Sequence, residues 1–515
     1  MGQHRLGFLL FAGLFGCALD EAAPVAASGT QPPNLVLFLV DDLGWQDLSV
    51  PLASAPTPFN QRYRTPNVER LAREGVTFTN AYAAAPVCTP TRTSIMTGQD
   101  PARTHITYWT LNKDVDTSTE HPTLQAPPWQ MNGLNENQVL LPALLKQAGY
   151  QTIHVGKAHL GAHDTFAADP RDIGFDVNIA GHASGAPASY YGLHNFSAAG
   201  RQGDPNGKPT VWDVPGLAKH HGQDIFLTEA LIEETLPAIG AAKKNGKPFF
   251  LNFCTYAVHT PIMANQKLLE HYPDLDEREA AYATLVESYD LALGRLLDEL
   301  ERLGVADNTV ICFASDNGGL SALARGGEKH RHNEPLRSGK GSAYEGGLRV
   351  PTIVRWPGTA QAGTRVSTPI ISADLFSTLL AAAGAEVPPL PPTTIDGVDL
   401  TPLLQGTRDT FPGRVLGWHQ PHQWGASGPG IEPFTAIRDG DWKLIWWHAR
   451  RNFELYDLST DLGEQQDQAQ QIPGRVMLMA DAMQTWLDDR AAQVSISKKT
   501  GKPILGPGKV ARGMH

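Results

Sequence analysis

The feature that most constrains the fold of this chain is a regular alternation of strand-like runs and helix-like stretches. Short runs rich in β-branched and aromatic residues predict strands at 34–40, 151–155, 248–255 and 309–314. Helical periodicity predicts helices at 67–74, 139–148, 225–239 and 278–303. This alternation is typical of parallel strands joined by crossover helices. We therefore predict an α/β fold with a large, mostly parallel central sheet flanked by helices.

The pattern changes after about residue 410. A proline-rich stretch at 388–392 interrupts the alternation, and short strands such as 442–447 follow before a helix near 476–489. A chain of 515 residues also exceeds what one small core can organise. We predict a large N-terminal domain over 30–409 and a smaller C-terminal α+β subdomain over 410–515, with a short antiparallel sheet, a helix and a basic tail.

Polar residues follow four of the predicted strands, at the point where each strand ends. They are, in chain order, Asp41 and Asp42, then Lys157 and His159, then His259, then Asp316 and Asn317. Any one of them is typical of a turn or a helix cap, but in a parallel sheet the carboxyl ends of the strands line the ligand site. The three aspartates and the asparagine offer the oxygen ligands that Ca²⁺ or Mg²⁺ prefers. We therefore predict a divalent cation at this edge of the sheet.

The stretch from Cys88 to Gly98 predicts a short helix that begins near Pro90 and ends at Gly98. Cys88 would lie at its N-terminus, where backbone N–H groups and the helix dipole favour an anion. Arg92 lies one turn further on and reaches back toward the same end. A cysteine in this setting is typical of either a low-pKa thiolate nucleophile or a redox sensor. Composition leaves both interpretations open.

The segment from Cys88 to Gly98 resembles the signature of the type I sulfatases of the alkaline phosphatase-like superfamily, which is Cys-x-Pro-Ser/Thr-Arg followed by Thr-Gly. Further blocks are similar to those of the family and occur in the same order, at 40–44, 156–161, 259–261, 315–318, 340 with 345–347, and 455–458. The resemblance spans about residues 33–490 and departs at Ala158, where the family commonly has an aromatic residue. It implies an alkaline phosphatase-like fold, a catalytic domain over 30–409 and hydrolysis of sulfate esters.

The resemblance also implies a cofactor set and a role for each site residue. A formylglycine-generating maturation enzyme would oxidise Cys88 to formylglycine (3-oxoalanine), whose hydrate has one hydroxyl to attack sulfur and another to expel sulfate. One Ca²⁺ per chain would be held by Asp41, Asp42, Cys88, Asp316 and Asn317. Asp316 would act as general base, and Arg92 would stabilise the nucleophile. Lys157 and Lys340 would hold the sulfate oxygens. His259 would protonate the leaving alcohol, and His159 would deprotonate the remaining hydroxyl.

Charge and loop composition bear on the substrate. The net charge of −11 would repel a phosphate backbone, so we expect no nucleic-acid partner. Residues in predicted loops could stack on sugars or bind further sulfates, namely Trp109, Trp129, His182, His194, His220, Arg325, His330, Arg337, His419, His422 and Trp424. Each one alone is more typical of ordinary packing or of an ordinary surface residue. With the loop at 417–429 as the strongest subsite candidate, we predict a sulfated polysaccharide or its oligosaccharides as substrate.

The N-terminus has the pattern of an export signal. His4 and Arg5 precede an uncharged apolar run at 6–19 and a small-residue stretch at 22–29, which predicts a signal segment over 1–29. We expect no transmembrane segment, because no run is apolar for long enough. Residues 14–17 are also similar to a lipobox, which would lipidate Cys17, whereas cleavage after Ala27 would give a soluble product. We expect a periplasmic or secreted protein and leave the lipid anchor open.

Two alternative functions stay open at this point. A phosphate or phosphonate ester hydrolase of the same superfamily would bind an anion of similar shape, but such relatives often carry Thr or Ser as nucleophile where this chain has Cys88. A catalytically silent glycan-binding homologue would be expected to lose residues such as Arg92 or His259, and both are present.

Overall fold

An eight-stranded, mostly parallel sheet organises the chain in the computed structural model, which describes residues 1–2, 32–204, 206–320, 332–385, 395–425 and 428–513. In chain order its strands are β1 Asn34–Val40, β2 Val76–Phe78, β3 Gln151–Gly156, β4 Val177–Ile179, β5 Phe249–Cys254, β6 Thr309–Ser315, β7 Thr352–Arg355 and β8 Thr364–Val366. Their spatial order is β8-β2-β7-β6-β1-β5-β3-β4. All neighbours pair in parallel except β7, which is antiparallel to both β2 and β6. The predicted fold class is confirmed, and β7 makes the sheet mixed.

Helices cover both faces of this sheet. The described α-helices are Pro58–Arg62, Pro66–Glu74, Cys88–Thr97, Pro101–Thr104, Leu141–Gln147, Ala198–Gln202, Leu227–Lys244, Glu277–Arg302, Glu345–Leu348, Asp374–Ala383, Thr401–Leu404, Pro473–Asp489 and Pro507–Ala511. Short 3₁₀ turns lie between them at Phe166–Ala168, Gly192–His194, Ala218–His220, Gln266–His271 and Ala306–Asn308.

Strand β1 shows how the two hydrophobic cores are divided by the sheet. Its residues are all buried, and Val36, Phe38 and Val40 face a core completed by the helices Pro66–Glu74, Leu227–Lys244 and Glu277–Arg302. The intervening Leu35, Leu37 and Leu39 face the other core, which contains the helices Cys88–Thr97, Leu141–Gln147 and Asp374–Ala383. Because both faces are covered, the strand is a continuous apolar run.

A four-stranded antiparallel sheet follows the large sheet in the sequence. Its strands are β9 Val415–Gln420, β10 Phe434–Asp439, β11 Trp442–Trp447 and β12 Asn452–Asp457, in that spatial order. The helix Pro473–Asp489 packs on one face through Met479, Met483 and Trp486. Two-stranded sheets pair Ala81–Tyr82 with Ile370–Ile371, and Leu124–Gln125 with Ile496–Ser497. All of these elements belong to one compact unit over Pro32–His515, and the domain boundary near 410 stays a prediction.

The sequence predictions for single elements can be compared directly with the structure. The bounds predicted for β1 and β11 coincide with the observed ones, and the other predicted strands and helices differ by a few residues at their ends. The predicted signal segment with Cys17 and the proline-rich stretch 388–392 lie outside the described residues. Within the described parts of the chain, no helix is long and apolar enough to cross a membrane.

Candidate functional site

The site is built where four neighbouring strands end. Strands β6, β1, β5 and β3 are adjacent and parallel, so their carboxyl ends meet at one edge of the sheet. Val40 is paired with Ser315, and Asp41 and Asp316 therefore leave the sheet side by side. Lys157 directly follows β3 and is completely buried. The residues predicted from the strand ends are brought together by this register.

Three carboxylates surround the thiol of Cys88. One ligand atom from each of Asp41, Asp42, Cys88 and Asp316 lies within 4.8 Å of the others. Cys88 Sγ lies 3.7 Å from Asp41 Oδ1 and 3.9 Å from Asp42 Oδ1. Asp41 Oδ2 and Asn317 Oδ1 are buried and have no hydrogen-bond partner among the described residues. Buried oxygens without partners are costly, and this donor set suits a hard cation.

A left-handed residue shapes the turn after β1. Asp42 has φ 58°, a conformation that is uncommon outside glycine. Its backbone N–H donates to Asp316 Oδ1 at 3.1 Å, and its Oδ1 accepts from Asn317 Nδ2 at 2.8 Å. Strained backbone of this kind clusters at functional sites. The turn aims the Asp42 carboxylate back at the end of β6.

Three buried cations compensate the three carboxylates. Arg92 Nε donates to Asp316 Oδ2 at 2.7 Å, and Lys157 Nζ donates to Asp41 Oδ1 at 2.6 Å. Lys340 Nζ lies 2.7 Å from Asp42 Oδ1 and 3.3 Å from Cys88 Sγ. Burial raises the pKa of Asp41 well above its usual range. Burial also acts to raise the pKa of Asp316, but Arg92 and Lys157 outweigh it and hold that pKa below the usual range.

Cys88 is the first residue of the helix Cys88–Thr97, which is buried along its whole length. Gly98 ends the helix with φ 68°, as expected of a glycine at this position. The helix therefore begins two residues earlier than Pro90, the predicted start. Burial raises the pKa of the Cys88 thiol to about 12, so the unmodified thiol is protonated near neutral pH. This finding argues against the low-pKa thiolate that the sequence left open.

The two histidines each have one nitrogen fixed by a carbonyl. His159 Nε2 lies 2.9 Å from the Thr110 carbonyl oxygen, so Nε2 carries the proton and Nδ1, which has no partner among the described residues, can accept one. Burial lowers the pKa of His159 well below its usual value. His259 Nδ1 lies 2.8 Å from the Thr260 carbonyl oxygen, and its Nε2 lies 3.6 Å from Asp42 Oδ2. Burial and the nearby Lys340 together lower the pKa of His259 to about 3, against the opposing effect of Asp42.

A cavity of about 570 Å³ opens above these groups. Cys88, His159, His259 and Lys340 all line it. Three tryptophans also contribute to the lining, namely Trp109, Trp212 and Trp424. A mostly apolar space with a few convergent polar groups is the usual form of a small-molecule site. The cavity can hold an anionic ester against Lys340 and bury an attached ring between aromatic side chains.

The loop residues proposed from sequence have mixed outcomes. Trp109 and Trp424 line the cavity, whereas Arg325 and His330 lie outside the described residues. The others have partners elsewhere: Trp129 and His422 pack around Tyr108, His419 bonds Thr435, His220 bonds Glu234, His194 bonds Ser189, His182 packs near His163, and Arg337 bonds Tyr456. The predicted loop 417–429 is partly strand, because β9 extends to Gln420.

Several contributors to the site were missed by the sequence reasoning, among them Thr110 and Trp212. Thr110 acts through its backbone carbonyl, which no side-chain pattern reveals. Trp212 lines the cavity from the loop that follows the helix Ala198–Gln202. A tryptophan in a stretch rich in glycine and proline was a signal that could have found it.

Comparison with known proteins identifies the family. Residues 33–385 match the sulfatase family, and residues 339–488 match the C-terminal part of N-sulphoglucosamine sulphohydrolase. Human N-acetylgalactosamine-6-sulfatase is 34% identical over 420 residues, which cover 78% of this chain and 73% of the relative. A sulfatase of Formosa agariphila is 29% identical over 561 residues, covering 99% of this chain and 98% of the relative.

Solved structures agree with this result. The crystal structure of Ps i-CgsB has a TM-score of 0.73 and 28% identity, and the match covers 89% of this chain and 94% of that one. The same protein in complex with k-i-k-neocarrahexaose gives a TM-score of 0.72. Because the sulfatase family match spans most of the chain and includes Cys88, His159, His259 and Lys340 of the cavity, this protein belongs to the sulfatase family and is a sulfuric ester hydrolase.

Proposed function

We propose that this sulfatase hydrolyses sulfate esters on a sulfated carbohydrate, in the cavity above residue 88. The observation that carries the proposal is the position of Lys340, whose Nζ lies 3.3 Å from Cys88 Sγ while the same lysine lines the cavity. An ester sulfate that approaches residue 88 would therefore meet a buried cation. A desolvated cation of this kind stabilises charge on the sulfate oxygens more strongly than one in water.

The proposed metal is a single Ca²⁺. Asp41, Asp42, Asp316, Asn317 and the oxygen of modified residue 88 would hold it. The unpartnered Asp41 Oδ2 and Asn317 Oδ1 support this ligand set, since both are buried oxygens that would gain a partner by binding a cation. Oxygen ligands without an accompanying thiolate and imidazole set are typical of calcium or magnesium, and magnesium would keep more water. When bound, the ion would compensate the facing carboxylates and favour the deprotonated form of the nucleophile.

The proposed nucleophile is formylglycine, made from Cys88 by a formylglycine-generating maturation enzyme. Its hydrate supplies one hydroxyl to attack sulfur and a second whose deprotonation expels sulfate. Direct attack by the unmodified cysteine is disfavoured, because burial raises the pKa of its thiol to about 12 and leaves little thiolate near neutral pH. Arg92, bonded to Asp316 at 2.7 Å, would stabilise the oxyanion form of the nucleophile.

The remaining residues bind the sulfate and move protons. Lys157 and Lys340, each bonded to an aspartate of the cluster, would also hold the sulfate oxygens. His259 is the proposed acid for the leaving alcohol: its Nδ1–H donates to the Thr260 carbonyl, so Nε2 is the nitrogen that would take up a proton and pass it to the leaving oxygen. His159 would accept the proton of the remaining hydroxyl at Nδ1, its free acceptor. Asp316 is the proposed general base, although both of its oxygens already accept hydrogen bonds.

A carbohydrate is the proposed substrate class for two reasons. Tryptophan side chains line the cavity, and aromatic faces stack well on pyranose rings. The relatives include a protein named for N-acetylgalactosamine 6-sulfate and a structure that holds a carrageenan hexasaccharide. The signal pattern of residues 1–29 supports export to the periplasm or the medium, where polysaccharides are met, with Cys17 lipidation as an open alternative.

Sulfate release from defined substrates tests the proposal. The full chain, produced together with a maturation enzyme and supplied with Ca²⁺, is incubated with N-acetylgalactosamine 6-sulfate, carrageenan oligosaccharides and 4-nitrophenyl sulfate. We expect the largest kcat/KM on a carbohydrate and only slow turnover of the aryl ester. A chain that releases sulfate from the aryl ester alone would contradict the carbohydrate assignment.

A further inference from the structure

A second cavity adjoins the one above Cys88. It has a volume of about 440 Å³, and Trp212 lines both spaces. Gly185 and Ala186 line the first cavity, and the next two residues, Pro187 and Ala188, line the second. One continuous stretch of backbone and one indole ring thus run from the reaction cavity into its neighbour. A ligand longer than one ring can extend along this wall.

Trp212 is held in place between the two spaces. The backbone N–H of Ala188 donates to the Trp212 carbonyl oxygen at 2.7 Å. The hydroxyl of Ser184 donates to the carbonyl oxygen of Val211, one residue before the tryptophan. The carboxylate of Asp213, one residue after it, accepts from the backbone N–H of Ala198 at 2.9 Å. The indole therefore has a fixed backbone before any ligand arrives, which reduces the entropy lost on binding.

Arg201 gives the second cavity a positive charge. It lines that space together with Trp212 and is exposed, and its guanidinium has one hydrogen bond among the described residues, from Nη1 to the Ala188 carbonyl oxygen at 3.4 Å. It forms no ion pair with a carboxylate within the described part of the chain. A guanidinium without a counter-ion beside an aromatic wall can bind an anionic group by paired N–H bonds.

We infer that Trp212 and Arg201 form a distal carbohydrate subsite. Trp212 would stack on the sugar next to the one that carries the scissile sulfate, and Arg201 would bind an anionic substituent of that neighbouring sugar. The substituent is a sulfate ester or a carboxylate, since both offer oxygens to the guanidinium. The inference rests on the proposed carbohydrate substrate and adds that the enzyme recognises at least two sugars.

Binding measurements test the subsite without depending on turnover. Calorimetry on the full Cys88→Ala chain measures Kd for three disaccharides. All three contain N-acetylgalactosamine 6-sulfate, and the neighbouring sugar carries a sulfate in the first, a carboxylate in the second and only hydroxyls in the third. We expect one anionic disaccharide to bind about 10- to 100-fold more tightly than the neutral one, as for a charged hydrogen bond. Arg201→Gln should remove this preference, and Arg201→Lys should restore part of it.

A substitution at an arginine outside both cavities serves as the control. Arg171→Gln removes another exposed arginine, paired with Asp169 and lining neither cavity, and should leave all three Kd values unchanged. Equal binding of the three disaccharides, no binding of any, or an equal loss on all three in Arg201→Gln would each overturn the inference. Failure of the sulfatase function itself is read separately, as absence of sulfate release by the unsubstituted chain.

Discussion

Replacing Lys443 by methionine tests how the catalytic segment around Lys340 is anchored. Lys443 Nζ lies 2.9 Å from Glu345 Oε1 and 2.8 Å from Glu464 Oε1, and all three side chains have 0% exposure. Glu345 begins the helix Glu345–Leu348, five residues after Lys340. The Glu345 backbone N–H donates to Glu464 Oε2 at 2.7 Å. The cluster thus joins the antiparallel sheet to the segment that carries Lys340.

The size of the effect follows from what the substitution leaves behind. Breaking a buried ion pair by removing one partner costs about 3–5 kcal/mol, because the remaining charge has no compensation. Burial raises the pKa of Glu464 to about 7, so this carboxylate can take up a proton near neutral pH. Glu345 keeps Arg349, whose Nη1 lies 3.3 Å away. We therefore expect Lys443→Met to lower the free energy of unfolding by about 3 kcal/mol, at the low end of that range.

Urea unfolding followed by tryptophan fluorescence measures this loss. Lys247→Met, at an exposed lysine that forms no ion pair among the described residues, is the matched control and should change stability by less than about 0.5 kcal/mol. Adding Glu464→Gln to Lys443→Met should recover part of the loss, since it removes the uncompensated charge. A Lys443→Met chain as stable as the control would refute the reasoning.

Three further predictions follow from the geometry. Removing divalent metal with a chelator should abolish sulfate release, and added Ca²⁺ should restore it; full activity in metal-free protein would contradict the proposed site. Gly341→Ala should lower kcat/KM at least tenfold, because Gly341 has φ 84° and a Cβ there would lie 2.0 Å from Trp424 Cδ1. The control is Gly440→Ala, at a glycine with φ 58° where a Cβ would have no atom within 4 Å. Burial raises the pKa of Asp290 from 3.8 to about 6 although the backbone N–H groups of Asn67 and Val68 donate to it. Because the pKa is raised in the folded state, the contribution of Asp290 to stability is present below pH 3.8 and is lost as pH rises through 6. Asp290→Asn should therefore flatten the pH dependence of the unfolding free energy in this range. An unchanged curve would contradict the shift.

Much of the fold could be predicted because local pattern and tertiary position agree. Strand β1 is an uninterrupted apolar run that is buried on both faces, so its bounds follow from composition alone. Strand β7 was not predicted, since four residues offer too little periodicity and its antiparallel direction depends on long-range pairing. Helix ends also differ, because caps such as Asp276, which begins the long helix Glu277–Arg302, compete with neighbouring polar residues.

The residues of the site also differ in how well the sequence predicts them. Asp41, Asp42 and Asp316 could be predicted because strand ends of a parallel sheet meet at one edge. Which loop aromatics reach the cavity could not, because that depends on how distant loops pack. Trp424 lines the cavity, whereas His422, two residues earlier, is buried against Tyr108. Exposed and buried side chains follow no regular period along a loop, so the sequence pattern does not predict which of them reach the cavity.

The state of residue 88 in active enzyme tests the central claim most directly. Peptide mass spectrometry of protein that releases sulfate should show residue 88 with the mass loss of thiol-to-aldehyde conversion, in a fraction of molecules that scales with specific activity. Cys88→Ala should release no sulfate, whereas Cys312→Ala, at a buried thiol in β6, should remain active. Active protein whose residue 88 is entirely unmodified cysteine would contradict the account.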